Sequence, residues 1–451
     1  MSSGEGNRAV LIAVRHPDVS EAELDASLAE LGRLVKTLGY RVVDRVTQPR
    51  ATLAPGAVLG EGKLAELAEL TGGSGKSGTP LPLRKLSKAR RRRETEEDAS
   101  GPEEPAEDSE PKIALVAVDH DISPSQARNL ERATGSAVLD RTGVIIEIFH
   151  RHAKSREARL QVEIARLAYT APRLRESPAG RERQAGRGAG EAALELDRRK
   201  IRDRIAELRA ELAAIQRDHG VRRAHRRDAR RVALVGYTNA GKSSLMRALT
   251  ASQVHVEDKL FATLDTTVRA LSPETKPRIL VSDTVGFIKK LPHDLVASFK
   301  STLDEALEAS LLLHVVDASD PSWESQLEVT RAVLAEIGAE GLPMRVVMNK
   351  IDKLGAEELE ELRRQWPNAW FSSAHDPADV IRVRDALVAF FEEDYLESDI
   401  FVPWTAQRLV AEMHEVGRVL EERYGEDGVT VRLLADAPTL ARLRSALADG
   451  S

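Results

Sequence analysis

The chain has 451 residues, no cysteine and a formal net charge of -6 at pH 7. This length predicts two to four domains, and a chain without cysteine has neither a disulfide framework nor a thiolate metal site. No apolar run approaches the roughly twenty residues needed to span a bilayer, and the polar start lacks a signal-peptide core. We therefore expect a cytoplasmic protein without integral membrane association.

Residues 1–150 alternate between strand and helix patterns, which predicts an N-terminal α/β domain with a small parallel sheet. The predicted elements are strands at Ala9 to Val14, Arg41 to Val46 and Ile113 to Val118, and helices at Glu21 to Leu38, Glu61 to Leu70 and Ser125 to Ala133. Residues 71–111 interrupt the pattern with glycine, serine and proline, an arginine run and an acidic run. Such charge-blocked sequence cannot bury a core, so we predict a disordered insertion there.

Residues 151–229 predict a helical hairpin that links two domains. Apolar residues recur at helical spacing over 155–171 and at heptad-like spacing over 191–217, as in two helices of a coiled coil. The basic loop 172–190 between them contains Arg173, Arg175, Arg181, Arg183 and Arg187. Residues 151–231 hold 23 Lys and Arg against 12 Asp and Glu, a surplus that suits binding to nucleic-acid phosphates. A flexible connector whose arginines only keep it soluble is the alternative.

A phosphate-binding loop is the most informative motif of the chain. The apolar run Val232 to Val235 predicts a buried strand, and a helical pattern begins at Ser244. The loop between them consists of Gly236, Tyr237, Thr238, Asn239, Ala240, Gly241, Lys242 and Ser243. In this context backbone N–H groups surround a polyphosphate, Lys242 reaches the β- and γ-phosphates, and Ser243 holds Mg²⁺. The sequence therefore predicts a nucleoside triphosphate site.

Two later segments indicate that the base is guanine. Asn349, Lys350, Ile351 and Asp352 follow an apolar run about a hundred residues after the loop. The Asp352 carboxylate can accept hydrogen bonds from both guanine N1–H and the exocyclic amine, while Asn349 supports the loop and the Lys350 stem covers the base. A third base-binding loop is predicted at Ser373, Ala374 and His375, where the Ala374 N–H meets guanine O6.

Two segments between these motifs are predicted to sense the γ-phosphate. The first consists of Phe261, Ala262, Thr263, Leu264 and Asp265. Thr263 is the expected second Mg²⁺ ligand in it, with Thr266 and Thr267 as alternatives. The second segment consists of Asp283, Thr284, Val285 and Gly286. Asp283 would support Mg²⁺ through water, and the Gly286 N–H would contact the γ-phosphate.

The residue after Gly286 is Phe287, where many GTPases have a glutamine that orients the attacking water. Because a phenyl ring cannot do this, we predict slow intrinsic hydrolysis that a partner stimulates, with Lys242, Asn239 and Gly286 as the catalytic groups. Asn239 suggests K⁺ binding against the phosphates, and the alternative is that it only stabilises the loop.

Taken together, these motifs predict a P-loop GTPase domain at 230–396, with a mixed, mostly parallel sheet flanked by helices.

Residues 397–451 are predicted to form a small C-terminal αβ segment, with a helix at Gln407 to Tyr424 and a strand at Val429 to Leu434. Trp404 is interpreted as a core residue rather than a ligand contact. No metal other than Mg²⁺ is proposed, because the histidines do not cluster with acidic residues.

These motifs resemble those of the HflX-family GTPases, and the resemblance covers most of residues 8–420. It extends beyond the nucleotide motifs to segments of the N-terminal domain and the hairpin. These segments are Leu59 to Leu64, Ile122 to Glu131, Leu139 to Gly143, Leu160 to Leu167 and Leu196 to Ile205. The chain departs from the family pattern in the insertion at 71–111 and the loop at 179–190.

The resemblance implies a factor that binds the large (50S) ribosomal subunit and its rRNA, and that in the GTP state separates stalled ribosomes into subunits. Hydrolysis would then promote release. RNA is favoured over DNA in this context, and we expect a monomer. Two alternatives remain: a GTP-dependent ribosome-assembly or RNA-processing factor, and a regulatory switch with a protein partner or a peripheral membrane contact.

Overall fold

A computed structural model describes residues 7–76, 113–174, 189–224, 230–251, 260–261, 267–289 and 306–449. The chain forms two compact units, one made of Met1–Arg151 and Arg166–Ile205, the other of His152–Ala165 and Ala206–Ser451. The predicted domain limits at 150, 229 and 396 stay a prediction. The predicted insertion at 71–111 lies mostly outside the described residues. None of the described helices is both long enough and apolar enough to cross a membrane.

A four-stranded parallel sheet organises the first unit, in the order β2-β1-β3-β4. Its elements are β1 (Arg8–Arg15), α1 (Glu21–Thr37), β2 (Arg41–Pro49), α2 (Glu61–Thr71), β3 (Ile113–Val118), α3 (Pro124–Thr134), β4 (Ala137–Asp140) and α4 (Arg141–His152). Ala9 to Val14 in β1 are buried, as expected of a central strand covered on both faces. The predicted strands and helices are found close to their predicted limits, whereas β4 and α4 were not predicted.

Two long helices follow, α5 (Arg156–Leu174) and α6 (Ala189–Ala224). Along α6 the apolar residues Ile201, Ile205, Leu208, Leu212 and Ile215 are buried or half-buried, and most residues between them are exposed. Arg156 at the start of α5 donates a hydrogen bond to the Glu211 carboxylate at 2.8 Å. Both predicted helices therefore exist, and each has one face covered by other residues. Most of the predicted loop at 172–190 lies outside the described residues.

A six-stranded sheet with the order β10-β9-β8-β5-β7-β6 forms the centre of the second unit. Its elements are β5 (Arg230–Val235), α7 (Lys242–Thr250), β6 (Thr267–Ala270), β7 (Ile279–Asp283), β8 (Leu311–Asp317), α8 (Trp323–Glu336), β9 (Met344–Asn349), α9 (Ala356–Gln365), β10 (Trp370–Ser372) and α10 (Pro377–Glu392). Among the described strands of this sheet, only β6 runs antiparallel to its neighbour. The carboxyl ends of the parallel strands meet at one edge, which is where α/β sheets bind ligands.

The C-terminal part of the second unit is a three-stranded antiparallel sheet with two helices. It consists of β11 (Leu396–Pro403), α11 (Arg408–Val416), β12 (Arg418–Tyr424), β13 (Gly428–Ala435) and α12 (Ala437–Asp449). The strand order is β11-β13-β12. The predicted strand Val429 to Leu434 lies within β13.

The predicted helix at Gln407 to Tyr424 is wrong in its second half, because α11 ends at Val416 and β12 follows. Gly417 adopts extended backbone angles and lies against β13, where a Cβ would be 2.8 Å from Leu433 Cδ1. Apolar residues at 409, 413, 416 and 420 repeat with helical spacing, but pairing with β13 overrides this local pattern.

The interpretation of Trp404 as a core residue is also wrong. Its side chain is 40% exposed, and its ring stacks on exposed Tyr424 with the ring centroids 6.2 Å apart. The indole N–H donates to the Glu426 carbonyl at 2.9 Å, which satisfies the polar end of the ring at the surface.

Candidate nucleotide-binding site

The phosphate-binding loop lies between β5 and α7, as its sequence context predicts. Gly236 and Gly241 have φ angles of 147° and 93°, and Asn239 has a φ of 62°. A Cβ at Gly236 would lie 2.2 Å from the Val315 carbonyl oxygen, and a Cβ at Gly241 would lie 2.2 Å from Asn349 Nδ2. Both positions require glycine, because the loop turns tightly against the next strand and the predicted base-binding segment.

Lys242 is buried beneath this loop. Its Nζ donates hydrogen bonds to the carbonyl oxygens of Gly236 at 3.1 Å and Tyr237 at 2.9 Å. Burial lowers the pKa of Lys242 to about 8, and the carboxylate of Asp283 opposes the shift. A cation buried at this cost beneath the loop is suited to bind an anion.

Ser243 and Asp283 come together although they are 40 residues apart in the chain. The Ser243 hydroxyl donates to Asp283 Oδ2 at 2.5 Å, and Asp283 is 1% exposed at the end of β7. A hydroxyl and a carboxylate side by side are the oxygen ligands that Mg²⁺ prefers. Ser244 follows in the first turn of α7, and its side chain is half-buried.

The segment after β7 is bound to the phosphate loop through its backbone. Thr238 N–H donates to the Phe287 carbonyl at 2.8 Å, and Phe287 N–H donates to the Gly236 carbonyl at 3.1 Å. Gly286 lies against the loop, where a Cβ would be 2.9 Å from the Thr238 Cα and 3.1 Å from Lys242 Nζ. The Thr284 hydroxyl donates to the Leu234 carbonyl at 2.7 Å, and Val285 is buried beside it.

The Phe287 side chain points away from this loop and into the core. It is 2% exposed and packs in a cluster with Ala233, Val235, Leu312 and Leu334. The ring is therefore a packing residue between the sheet and α8, and no water-orienting group occupies this position.

One side chain joins the phosphate loop to the two predicted base-binding segments. Asn349 is 1% exposed, its Nδ2 donates to the Ala240 carbonyl at 2.8 Å, and its Oδ1 accepts from Ala374 N–H at 3.3 Å. Lys350 Nζ donates to the Asn239 carbonyl at 2.6 Å and to Asp317 Oδ2 at 2.7 Å. The three motifs therefore form one continuous site at the carboxyl edge of the sheet.

The remaining predicted base contacts lie around these two residues. Ile351 is buried, whereas the Asp352 side chain is exposed at the surface of the site. Ser373 N–H donates to Asp379 Oδ2 at 2.7 Å, and His375 N–H donates to the Ser373 hydroxyl at 3.3 Å. Hydrogen bonds therefore fix the residues on either side of Ala374, Ser373 and His375.

The first predicted switch is only partly visible. Phe261 is buried with a φ of 58°, and Thr267 begins β6. Ala262, Thr263, Leu264 and Asp265, together with Thr266, lie outside the described residues.

Sequence reasoning missed two polar residues near the site. Asp317 ends β8 in register with Asn349, and an acidic residue directly after an apolar run was the signal for it. His314 lies buried in β8; burial lowers its pKa to about 3, with Arg331 and Lys242 adding to the effect. A lone histidine within an apolar run gave no comparable indication.

Comparison with known proteins identifies the family. The chain is 61% identical over 440 residues to GTPase HflX of Gluconacetobacter diazotrophicus, covering 98% of each chain. It is 35% identical over 456 residues to GTPase HflX of Escherichia coli, again covering 98% of each. The chain belongs to the HflX family of GTPases.

Three family models match consecutive parts of this HflX-family chain. They are described as GTP-binding GTPase N-terminal (25–77 and 103–150), GTP-binding GTPase Middle Region (152–226) and 50S ribosome-binding GTPase (231–350). A GTP-binding protein of Sulfolobus solfataricus in complex with GDP is similar over 85% of this chain and 99% of that chain, with 22% identity and a TM-score of 0.42. The predicted α/β P-loop GTPase fold and the GTPase activity are both confirmed by family membership.

Proposed function

We propose that this HflX-family GTPase binds the large ribosomal subunit and, in its GTP state, separates stalled or idle ribosomes into subunits. Hydrolysis stimulated by the ribosome then drives its release. The proposal is supported by the family model over residues 231–350, whose description is a 50S ribosome-binding GTPase. It is also supported by the structure of the nucleotide site.

The site residues predicted from the sequence are proposed to hold GTP in the arrangement described above. The loop backbone and Lys242 would bind the phosphates, the Gly286 N–H would contact the γ-phosphate, and Asp352 would recognise guanine. Asn349 would keep the base loop and the phosphate loop in one arrangement, since it bonds to both. Lys350 would cover the base while remaining tied to Asp317.

The pair of Ser243 and Asp283 fits Mg²⁺, because two hard oxygen donors already lie within hydrogen-bond distance of each other. When bound, Mg²⁺ neutralises charge on the β- and γ-phosphates. Ser243 would bind it directly, Asp283 would act through water, and Thr263 is the proposed second ligand of the first switch.

The observation that carries the proposal is the buried ring of Phe287. In a GTPase of this fold the side chain after the glycine of the second switch commonly orients the attacking water, and here that side chain is fixed in the core. Among the described residues this position therefore supplies no group that orients water, and we propose that a group from the ribosome completes the site. A ribosome-bound factor that must persist in the GTP state until its partner acts has this requirement.

The predicted helical hairpin of residues 151–229 supplies a second line of support, because it carries a surplus of basic residues. Arg199 and Lys200 on α6 are exposed, and the nearest carboxylates, Asp203 and Asp197, are on the same helix. Such weak surface pairs are readily exchanged for phosphates, so this face can bind ribosomal RNA in a salt-dependent manner.

A single experiment tests the proposal. Intact ribosomes are mixed with the protein and GTP or a non-hydrolysable analogue, and free subunits are followed on a density gradient. We expect separation with either nucleotide, retention of the protein on the large subunit with the analogue, and GTP turnover raised on the order of a hundredfold by ribosomes. Ser243→Ala should abolish both effects. Intact ribosomes together with unstimulated turnover would contradict the proposal.

We also propose that turnover is stimulated by K⁺ bound through the Asn239 side chain. Asn239 is exposed, and its φ of 62° is one that asparagine and glycine tolerate. Asn239→Gly therefore preserves the loop conformation and removes only the side chain. The wild-type chain should hydrolyse GTP faster in KCl than in NaCl, and the variant should bind GTP but lose this difference. Equal wild-type rates would exclude K⁺, and a variant that keeps the difference would leave Asn239 a role only in loop conformation.

A further inference from the structure

The loop between β10 and α10 carries the Ala374 N–H, the group proposed to meet guanine O6. The four loop residues, 373–376, include no glycine. The loop ends at Asp376, the N-cap of α10, whose carboxylate accepts from the Ala378 N–H at 2.9 Å. How the backbone of this short loop is bonded decides the direction in which the Ala374 N–H points.

The Ala374 N–H belongs to the same peptide unit as the Ser373 carbonyl. Because the unit is planar and trans, these two groups point in opposite directions. The Ser373 carbonyl accepts from the Asp376 N–H at 3.0 Å, and the Ala374 N–H donates on the other side to Asn349 Oδ1 at 3.3 Å. The second bond is longer than the usual value of about 2.9 Å. The same N–H can therefore be shared with an oxygen atom of a bound base.

The preceding peptide unit is held by Asp379 of α10. The Ser373 N–H donates to Asp379 Oδ2 at 2.7 Å, and Asp379 is 3% exposed. The other oxygen of this carboxylate, Oδ1, forms an ion pair with Arg382. Ser373 thus has both of its backbone groups bonded, so the torsion angles that aim the Ala374 N–H are fixed from both ends.

Asp379 is the third residue of α10, and a helix start alone does not account for its contact. A carboxylate at this position commonly accepts from the N–H of the N-cap residue and complements the helix dipole. Here the N–H of the N-cap, Asp376, donates to the Ser373 carbonyl, and the Asp379 carboxylate bonds to an N–H three residues before the N-cap. The bond from Ser373 is charge-assisted and buried, and it leads out of the helix into the base loop.

From this we infer that Asp379 is a positioning residue for guanine recognition. By holding Ser373, it aims the Ala374 N–H at the oxygen on position 6 of the base and so favours purines that carry an acceptor there. Asp379 acts through Ser373 and is assigned no contact with the nucleotide. The inference rests on the proposed function, in which the Ala374 N–H meets guanine O6.

The test compares the affinities of three nucleotides for the full-length chain. In 6-thio-GTP a sulfur atom, a weaker acceptor, replaces O6, whereas ITP keeps O6 and lacks the exocyclic amine. The wild type should bind GTP about tenfold more tightly than 6-thio-GTP, as expected for one hydrogen bond. Asp379→Ala should weaken the binding of GTP and ITP by about the same factor and leave that of 6-thio-GTP nearly unchanged, so that the preference for oxygen disappears.

Two further variants separate positioning from folding. Asp379→Asn keeps an acceptor oxygen for the Ser373 N–H and should recover most of the preference for GTP over 6-thio-GTP. Asp385→Ala is the matched control, because Asp385 is an exposed aspartate of the same helix that also pairs with an arginine, Arg384. It should bind all three nucleotides as the wild type does. Hydrogen exchange of residues 372–376 should be faster in Asp379→Ala only, with exchange in α1 unchanged as evidence that the variant is folded.

A loss of equal size for GTP, ITP and 6-thio-GTP in Asp379→Ala would overturn the inference, because it would leave Asp379 a role only in the folding of this region. Affinities unchanged from the wild type would overturn it as well. If the wild-type chain itself binds GTP and 6-thio-GTP equally, the proposed Ala374 contact fails, and the inference fails with it. A wild type that prefers GTP, together with an Asp379→Ala variant that keeps this preference, refutes the inference alone.

Discussion

At the scale of single residues, the nucleotide site contains a buried lysine whose positive charge is unfavourable in the absence of a ligand. Lys242 is buried next to two carbonyl oxygens, and its lowered pKa measures the cost of keeping it protonated there. A difference between about 8 and the ordinary 10.5 corresponds to about 3 kcal/mol. Bound phosphates would offset this cost, so stability is given up in the free protein in favour of ligand affinity.

Lys242→Met should therefore stabilise the nucleotide-free protein near pH 7 by about 1 to 2 kcal/mol, after allowance for the lost hydrogen bonds. Because the folded-state pKa is lowered, the unfolded chain binds more protons between about pH 8 and 10.5, and wild-type stability gains with rising pH there. The advantage of the variant should then shrink and reverse. Urea unfolding of both proteins at several pH values measures this.

The same samples with GTP provide the control. GTP should raise the unfolding free energy of the wild type and leave that of the variant unchanged, since the phosphates lose their cation. A variant less stable than the wild type near pH 7 would show that the protonated Lys242 stabilises the free loop.

At the scale of elements, the site depends on Asn349 at the end of β9, which bonds to one loop before it and one loop after it in the chain. Neither contact is local, since its partner in the phosphate loop is 109 residues away. The predicted base-binding loops and the phosphate loop are therefore joined through one side chain.

Asn349→Ala should leave the Ala240 carbonyl and the Ala374 N–H without this partner and lower the unfolding free energy by about 2 kcal/mol. GTP affinity should fall by at least about tenfold, since both loops lose their arrangement. Denaturant unfolding and nucleotide titration check the two effects. Asn368→Ala, at an exposed asparagine between α9 and β10, is the matched control and should change stability by less than about 0.5 kcal/mol. Equal effects in both variants would contradict the bridging role.

The elements that could be predicted are those whose pattern is local. Apolar runs followed by glycine, asparagine or aspartate marked β5, β7 and β9, and the helical pattern from Glu21 to Leu38 marked α1. The prediction of helix after Val416 was wrong because these residues form β12, which pairs with β13. The contact between Asp317 and Lys350 was not predicted for the same reason, because it forms only when β8 lies beside β9.

At the scale of the whole second unit, an ion pair connects the G-domain sheet to the C-terminal segment. Arg230, the first residue of β5, pairs with Asp436 directly before α12. Burial tends to raise the pKa of Asp436, but hydrogen bonds from Thr439 and the charge of Arg230 outweigh it and lower the pKa. The carboxylate therefore stays charged and paired at neutral pH.

A double-mutant cycle of Arg230→Ala and Asp436→Ala should give a coupling energy of about 1 kcal/mol near pH 7, because the pair is partly shielded from water. The lowered pKa means that this stabilisation is present at neutral pH and is lost as the pH falls below about 4. Thermal unfolding of the four proteins at both pH values measures it. The more exposed pair Arg442 and Glu412 should couple less strongly, and equal coupling would contradict the connecting role.

The antiparallel ladder of β6 and β7 has a consequence for signalling. Thr267 pairs with Asp283 at one end, next to the proposed magnesium ligands, and Ala270 pairs with Leu280 about 10 Å further along. The turn beyond it accepts hydrogen bonds from Arg384, through the Pro273 carbonyl, and from the Arg230 N–H, through the Arg278 carbonyl. The hairpin is therefore bonded to the Asp283 end of β7 on one side and to α10 and β5 on the other, so a displacement of β6 beside the nucleotide would also move the turn at the opposite edge of the sheet.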